Sequence, residues 1–365
     1  MILKKNHNPY SGDTQKIIKM KKFILVSAFN LLFTVYAYSQ GCSPLRNVAG
    51  VSPDIVFKNS ESTKKTFLNI TNRYLEGSST YRGTKFITDT LVTNRINSFN
   101  ISLLKMLDNG WSVGLNIPIS ANSRRNSADH GGLKTPKHTT SSFGLGDLRF
   151  AVYKWLLNTT THKNWNIQTG LGIKSPTGDY RYQDYFYRND TTKVLAPVDV
   201  AIQLGDGGTG ITAEVNSFYS FSKILNIYFN GYYLMNAREQ NGVSNLKGRD
   251  PTPTEIANNT TVMSVPDQYS CRIGANVQVQ KVVFAAGIRY ERLPVNDLVG
   301  GNKGFRRASS ISSAEPGITY LMKKSFAFLY VGLPFQRNIV QNHQNNMTPA
   351  GFADFVFSFG GQFEL

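Results

Sequence analysis

Apolar and polar residues alternate at every second position through most of the chain after residue 65. The pattern is clearest in the last segment, Ala353 to Leu365, where Phe355, Phe357, Phe359 and Phe363 are separated by small or polar residues. A β-strand places alternate side chains on opposite faces. The segment therefore predicts a strand with one aromatic face. Such a strand occurs both in a soluble sheet that covers a core and in a transmembrane barrel that faces lipid.

Similar alternating segments recur along the chain in a regular order. An even number of strands of about ten residues each is typical of single-chain outer-membrane barrels. The pattern predicts about twelve strands, at residues 66–76, 95–107, 110–120, 145–157, 163–174, 209–221, 224–236, 268–280, 281–292, 314–323, 325–336 and 351–364.

The connections between these segments are alternately short and long. The short ones lie near 108–109, 158–162, 222–223, 280–281 and 323–324, and the long ones near 77–94, 121–144, 175–208, 237–267, 293–313 and 337–350. Outer-membrane barrels have short periplasmic turns and long external loops, whereas a soluble β-sandwich has no reason to alternate loop lengths. We therefore predict an all-β fold, a transmembrane antiparallel β-barrel over residues 66–365.

Tryptophan placement supports the same orientation. Trp111, Trp155 and Trp165 all fall beside predicted short turns. Tryptophans at a membrane interface form an aromatic girdle. We expect the three to lie at the periplasmic interface, although Trp155 is out of phase with the apolar residues of its strand unless a bulge intervenes.

The N-terminus has the features of an export signal. Lys21 and Lys22 precede an apolar run from Phe23 to Val35 that is too short for a comfortable spanning helix, and small residues follow it. We predict a signal peptide over residues 1–39 with Met20 as the true start, and a periplasmic tail over 40–65. An uncleaved anchor is the less favoured alternative.

The chain contains two cysteines, Cys42 and Cys271. Gly41 before Cys42 partly fits a lipoprotein signal, but Ser39 occupies a position where leucine is usual. Two cysteines do not make a disulfide framework. We expect both thiols to be free, because the predicted topology places them at opposite ends of the barrel.

The chain is strongly basic, with a formal net charge of +17. Beyond residue 39 it has 34 basic and 22 acidic residues, a net charge of +12. The basic residues are scattered and form no nucleic-acid-binding motif. We therefore predict no nucleic-acid partner, and attribute the charge to a solvated surface or to attraction toward anionic outer-membrane lipids.

Charged residues also occur in the inward phase of the predicted strands. They can pair across the lumen and hold the wall, or line a solute path and set its charge preference. The lumen-lining candidates are Arg73, Asp147, Arg149, Lys174, Glu214, Arg272, Arg289, Glu291 and Asp354.

One predicted external loop is rich in tyrosine and arginine. Aromatic and guanidinium groups can stack on planar ligands, or they can pack the loop against itself. We favour packing within the loop and keep four ligand candidates, Tyr180, Tyr182, Tyr185 and Tyr187.

Signals for catalysis or metal binding are weak. The chain has no Gly-x-Ser-x-Gly elbow, and His130, His138, His162 and His343 fall in predicted loops or turns. Asp129 and His130 with His138 could ligate a metal, but their loop spacing is weak evidence. We predict no enzyme activity, no cofactor and no metal.

Two short motifs, Gly144-Leu145-Gly146-Asp147-Leu148 and Lys174-Ser175-Pro176-Thr177-Gly178-Asp179, resemble motifs of the outer-membrane proteins named after the meta-pathway of phenol degradation. The likeness continues loosely through Glu315-Pro316-Gly317 and Tyr330 to Pro334. The resemblance implies a barrel of about twelve strands that transports small solutes, with aromatic or hydrophobic compounds among the candidates. The Tyr-rich loop and the terminal Leu365, in place of phenylalanine, depart from the family.

These observations predict a protein of the Gram-negative outer membrane, inserted by the barrel-assembly machinery through its C-terminal strand. The first functional hypothesis is a channel or transporter for small solutes. The alternative is a closed barrel that displays external loops for adhesion or partner binding. A soluble exported β-sandwich is a third, less favoured interpretation.

Overall fold

The computed structural model describes residues 53, 55, 65–132, 135–340 and 350–365. The predicted signal peptide, Cys42 and His343 lie outside the described residues, as does most of the predicted periplasmic tail. Of the described part, no helix is both long and apolar enough to cross a membrane.

Antiparallel strands make up most of the described chain. Those of the main sheet are β1 (Thr66–Arg82), β2 (Lys85–Met106), β3 (Trp111–Asn126), β4 (His138–Leu145), β5 (Arg149–Trp155), β6 (Trp165–Lys174), β9 (Gly210–Ser220), β10 (Leu225–Asn236), β13 (Gln268–Val279), β14 (Val282–Leu293), β15 (Ser309–Ala314), β16 (Gly317–Leu321), β17 (Ser325–Ile339), β18 (Ala350–Gly351) and β19 (Phe355–Glu364). The external segments add β7 (Gln183–Tyr187), β8 (Lys193–Pro197), β11 (Gln240–Ser244), β12 (Val262–Ser264) and helix α1 (Pro253–Ala257).

The main sheet closes into a barrel of twelve strands. β4 and β5 pair with successive parts of β3, β15 and β16 pair with successive parts of β14, and β18 and β19 both pair with β1, so each of these pairs forms one strand of the wall. The pairing of β13 with β14 closes the circle. The predicted fold class and strand number are confirmed.

The register separates an apolar exterior from a polar interior. On β1 and β19, Arg73 faces Ser358 and Tyr74 faces Phe357, so one face of the ladder is polar and the other aromatic. Leu171 and Phe359 expose 67% and 50% of their surface on the outer face. The larger buried clusters lie on the inner side of the wall and between the external segments, as expected for a barrel surrounded by lipid.

The structure corrects two details of the predicted elements. Much of the predicted loops 77–94 and 121–144 is strand, because β1, β2, β3 and β4 continue beyond the predicted ends and pair with one another. The residues there are mostly polar, so they lack the apolar alternation that marks a lipid-facing strand.

The second correction concerns Trp155. It lies in phase with Arg149 and Tyr153 on the inner face of β5, without a bulge, and is only 2% exposed beside Phe218 and Tyr228. It is therefore not part of a girdle. Trp111 and Trp165 are exposed on the outer face beside short turns, as predicted.

Phe359→Arg should destabilise the barrel by about 2–4 kcal/mol, because it places a guanidinium on the lipid-facing surface. Urea unfolding in lipid vesicles measures this change. Ile256→Arg is the matched control, because Ile256 is 59% exposed on the external helix α1, and its cost should stay within about 0.5 kcal/mol. Equal costs for the two variants would contradict a lipid-facing Phe359.

Candidate functional site

The barrel interior contains two adjoining cavities. We call the end with the short turns the periplasmic end. The periplasmic cavity is about 240 Å³ and has an aromatic and amide wall that includes Trp155 and Phe326. The external cavity is about 70 Å³ and is lined by the inner faces of β1, β2 and β3 and by part of an external loop. Both cavities are lined by Asn116, Arg149 and Tyr232, so these three residues mark the boundary between them.

An ion pair and two aromatic rings hold this boundary. Arg149 Nη1 lies 3.3 Å from Glu214 Oε1, and the Tyr153 hydroxyl lies 3.3 Å from the same oxygen. The Arg149 guanidinium also lies over the Tyr232 ring, 5.4 Å from its centroid. A buried guanidinium fixed by a carboxylate and an aromatic face keeps a defined position. These contacts fix the positions of the side chains at the boundary. We call this boundary the Arg149–Tyr232 constriction.

A chain of alternating charges crosses the lumen from Arg73, beside the external cavity, to Arg272, beside the periplasmic cavity. Arg73 Nη2 and Arg289 Nη2 contact Glu291 Oε1 at 3.3 and 3.0 Å. Arg289 Nη1 and Arg272 Nε contact Glu315 at 3.4 and 2.5 Å. Arg73 lies on β1 and Glu291 on β14, which are not neighbours in the wall, so the chain spans the lumen. Glu315, between β15 and β16, was absent from the predicted lumen set.

The two motifs that resemble the phenol-pathway family lie against each other in the wall. Thr177 Oγ1 accepts a hydrogen bond from the Leu148 backbone N–H at 2.8 Å and donates one to the Gly146 carbonyl at 2.9 Å. These bonds join residues 144–149 to residues 174–179 between the end of β4 and the start of β5. The residues of the two motifs therefore have a structural role, because they hold the junction between β4 and β5 against the end of β6.

Asp147 organises the inner side of this junction. Its carboxylate accepts hydrogen bonds from the backbone N–H groups of Gly178 at 3.0 Å and Asp206 at 3.2 Å, and lies 3.6 Å from Lys174 Nζ. Lys174 also pairs with the Asp206 carboxylate. A Cβ on Gly178 would lie 2.8 Å from the Gly205 nitrogen, so the two backbones approach too closely for a side chain there.

The external end of the lumen is covered by the loop that follows β8. Val198 and Ile202 are fully buried against the inward-facing Leu75 and Ile96. Ile202 O accepts hydrogen bonds from Asn122 and Ser142 on the wall. The loop therefore forms the ceiling of the external cavity.

A network of buried charges holds this ceiling in place. Asp199 is completely buried and contacts Arg307 Nη1 at 2.7 Å, Lys247 Nζ at 3.2 Å and Arg124 Nε at 3.8 Å. Asp129 pairs with Arg124 at 2.9 Å and with Lys247 at 3.4 Å. The five side chains come from four external segments, since Arg124 and Asp129 share one, and we call them the Asp199 network. Sequence reasoning missed it, because only the fold brings these segments together.

The cations of the network determine how its carboxylates titrate. Burial alone would raise the pKa of Asp199, but Arg124, Arg307 and Lys247 outweigh it and hold that pKa well below its usual value of 3.8. Burial likewise acts against the ionised form of Asp129, and Lys247 and Arg124 reverse its effect, so the pKa of Asp129 is also well below its usual range. Both carboxylates are ionised at neutral pH.

The remaining candidate residues lie outside the cavity linings. Asp354 accepts a hydrogen bond from the Ser78 backbone N–H at 3.1 Å and lines neither cavity. Glu291 lines neither cavity, but it pairs with Arg73 and Arg289. The other seven predicted residues line one or both.

The tyrosines of the external loop have partners nearby. The ring centroid of Tyr180 lies 5.0 Å from the guanidinium carbon of Arg181 and 5.9 Å from that of Arg238. Lys193 Nζ lies 4.4 Å from the ring centroid of Tyr185. Tyr182 packs against the cluster that contains Val198 and Ile202, and Tyr187 stacks on His138 with 4.1 Å between ring centroids. A ligand role for these tyrosines stays a prediction.

His138 begins β4, which corrects its predicted place in a loop. The buried His130 accepts a hydrogen bond from the Tyr187 backbone N–H at 3.1 Å through Nδ1, and burial lowers the pKa of its ring. Across the described ranges, no group of three or more His, Cys, Asp or Glu side chains could hold a metal ion.

Comparison with solved structures supports the fold. An outer-membrane channel from Pseudomonas putida F1 aligns with a TM-score of 0.58 at 12% sequence identity, covering 89% of this chain and 100% of that chain. The CymD monoaromatic hydrocarbon channel aligns with a TM-score of 0.43 at 11% identity, covering 87% of this chain and 94% of that chain, a score too low to support an inference. No protein-family profile and no curated protein sequence matches the chain.

The chain is therefore an outer-membrane β-barrel. A closed antiparallel barrel with an apolar exterior satisfies its backbone hydrogen bonds within a bilayer, and such bacterial barrels belong to the outer membrane of Gram-negative cells. The predicted localisation is confirmed.

Asp199→Asn should loosen the external ceiling. It removes the buried carboxylate that three cations share, which should cost about 3–5 kcal/mol of local stability. Hydrogen exchange by mass spectrometry should show faster exchange in residues 198–207, with the strands unchanged. Asp190→Asn, at an exposed position between β7 and β8, is the control. Unchanged protection in Asp199→Asn would contradict the stabilising role of the network.

The ceiling should also respond to acid. Groups whose pKa is lowered on folding contribute stability that is complete above the unfolded value, here 3.8 for aspartate, and is lost as pH falls through the lower folded value. Cleavage of the external loops by pepsin should therefore increase only below about pH 4. A transition between pH 5 and 7 would instead indicate a histidine such as His130.

Proposed function

We propose that this barrel is a channel for small solutes that cross the lumen through the external and periplasmic cavities in turn. The observation that carries the proposal is that the two cavities adjoin at one constriction, formed by Arg149, Tyr232 and Asn116. A barrel filled completely by side chains would not leave adjoining spaces on both sides of a single layer. The Pseudomonas putida protein with a similar fold is described as an outer-membrane channel, which supports the proposal by analogy only.

The charges of the lumen favour neutral or weakly charged solutes. The three arginines of the charge chain share two carboxylates, Arg149 is paired with Glu214, and Lys174 contacts both Asp147 and Asp206, so these five cations are balanced by five carboxylates. Paired charges give little net field for drawing in ions of one sign. The aromatic wall of the periplasmic cavity, which includes Tyr153, Trp155 and Phe326, offers an apolar surface for a solute.

Membership of the phenol-pathway family would extend this proposal to aromatic compounds. The aromatic wall of the periplasmic cavity suits a planar apolar solute. We also expect the C-terminal strand β19, with its outward phenylalanines, to be recognised by the barrel-assembly machinery.

The alternative, a closed barrel that displays its external loops, has one observation in its favour. The Asp199 network fixes several external segments over the mouth of the lumen. A rigid external surface suits partner binding as well as it suits a channel entrance. Flux measurements separate the two hypotheses.

Tyr232→Ala should widen the constriction. Single-channel steps in a planar bilayer should grow by about twofold, because the narrowest part of a pore dominates its resistance. The matched control is Tyr233→Ala, the next residue of β10, which faces outward and stacks on Tyr269. Identical step sizes for wild type, Tyr232→Ala and Tyr233→Ala would contradict the proposed path. Absence of steps from all three folded, inserted proteins would favour the closed barrel.

A further inference from the structure

The outer face of the wall changes from apolar to polar near the external ends of β13, β14, β15 and β17. One row of paired outward residues consists of Ile273, Ile288, Ala314 and Leu333. The next outward row toward the external side consists of Cys271, Tyr290, Ser312 and Gln336, and the row beyond it of Tyr269, Arg292, Ser310 and Asn338. Four neighbouring strands therefore present hydroxyl, amide and guanidinium groups side by side. We call these last two rows the Arg292 patch.

The Arg292 patch lies at the height of the lipid headgroups. The outward residues of β14 on its periplasmic side are all apolar, namely Val282, Phe284, Ala286 and Ile288. From Val282 to Arg292, a strand with a rise of ~3.3 Å per residue and a tilt of about 40° climbs about 25 Å, which is the height of the apolar band of an outer-membrane barrel. The patch therefore lies where the apolar band ends and the headgroups of the outer leaflet begin.

Aromatic rings support Arg292 on this surface. Its guanidinium carbon lies 6.0 Å from the centroid of the Tyr269 ring, and that ring stacks on Tyr233 with 5.8 Å between centroids and 9° between planes. The Tyr233 hydroxyl donates a hydrogen bond of 2.7 Å to the buried carboxylate of Asp267. The aromatic support of Arg292 is therefore anchored to a buried residue of the wall.

The charge of Arg292 is not neutralised by the described part of the chain. Its neighbours are Tyr269 and Tyr290, and it forms no ion pair with a carboxylate of the described residues. Arg95 on β2 also faces outward, but Glu76, its partner on β1, lies 3.1 Å away. A guanidinium without a carboxylate partner attracts an anion, and its planar fork of N–H donors suits the oxygens of a phosphate.

We propose that the Arg292 patch is a binding site for the phosphorylated disaccharide headgroup of lipid A, the lipid anchor of lipopolysaccharide in the outer leaflet. Arg292 binds a phosphate, and the side chains of Ser310, Ser312 and Asn338 hydrogen-bond to the sugars. Three strand spacings of about 4.8 Å make each row about 14 Å wide, which is enough for two sugar rings. The site lies on the outside of the barrel, so the proposal does not depend on the proposed channel function.

Titration with lipid A tests the site. The exported protein is refolded in detergent without lipopolysaccharide, and native mass spectrometry measures the fraction that carries one lipid A molecule. Arg292→Gln should weaken lipid A binding about tenfold, because it removes charge-assisted hydrogen bonds to a phosphate. Arg95→Gln is the matched control, since Arg95 is an outward arginine already paired with Glu76, and its affinity should stay within about twofold of wild type. Equal affinities for wild type and Arg292→Gln would overturn the proposal.

A second pair of variants neutralises each arginine without removing it. Ser310 is paired directly with Arg292, as Ser123 is with Arg95. Ser310→Asp should pair with Arg292 and repel the phosphate, so lipid A affinity should fall at least about tenfold, whereas Ser123→Asp should change it by about twofold or less. Equal losses in the two variants would indicate a general charge effect and overturn the site. This pair decides the question if heat-modifiable mobility shows that Arg292→Gln does not fold.

The choice of probe tests the class of ligand. Lipid A from which the phosphates have been removed keeps its sugars and acyl chains, and wild type should bind it about tenfold more weakly than lipid A. Arg292→Gln should bind the two lipids about equally. Equal affinity of wild type for both lipids would indicate an aromatic girdle without a phosphate site. Displacement of lipid A by an excess of inorganic phosphate would indicate a site for free anions. Either result would overturn the proposal.

Discussion

A bilayer offers no hydrogen-bond partners to a backbone, and the rest of this structure depends on that constraint. Every strand inside the membrane must pair on both edges, so the sheet has to close on itself. Closure assigns alternate residues to lipid and to lumen along each strand. The outward phenylalanines of β19 and the inward Arg73 of β1 are therefore two consequences of one arrangement.

The lumen then has to accommodate charged residues away from bulk water. It does so by pairing, in the chain from Arg73 to Arg272 and in the ion pair of Arg149 with Glu214. Buried pairs of this kind contribute little net stability but fix side-chain positions. Ion pairs of Asp199 hold the external ceiling in the same way. The external cavity therefore lies between the ceiling and the paired charges of the lumen.

The sequence was informative wherever a residue faces lipid. The alternation that predicted strands at 163–174 and 325–336 reflects direct contact with the bilayer, and the structure places β6 and β17 there. Beyond the membrane this signal ends, so the strand portions within 77–94 were interpreted as a loop. Trp155 has a large apolar side chain that suits either the girdle or the lumen, and only the register of β5 against β3 places it inside.

The sequence predicted which charged residues belong to the candidate site, but not which of them contact one another. Phase alone selected Arg73, Arg289 and Glu291 as inward-facing. Their contacts join residues 218 positions apart in the sequence, as Arg73 and Glu291 are, and no local pattern encodes such a distance. Tyr232 and Glu315 were missed because no local feature of the sequence shows that they contact Arg149 and Arg272. Asp199 was missed because its cations come from several loops.

The most direct test of a continuous lumen path is the planar-bilayer current carried by the refolded chain from Gln40 to Leu365. A path through two cavities and one constriction predicts discrete, small single-channel steps. Uninterrupted silence, from protein that heat-modifiable electrophoretic mobility shows to be folded and inserted, would contradict the path and leave a closed barrel with displayed loops.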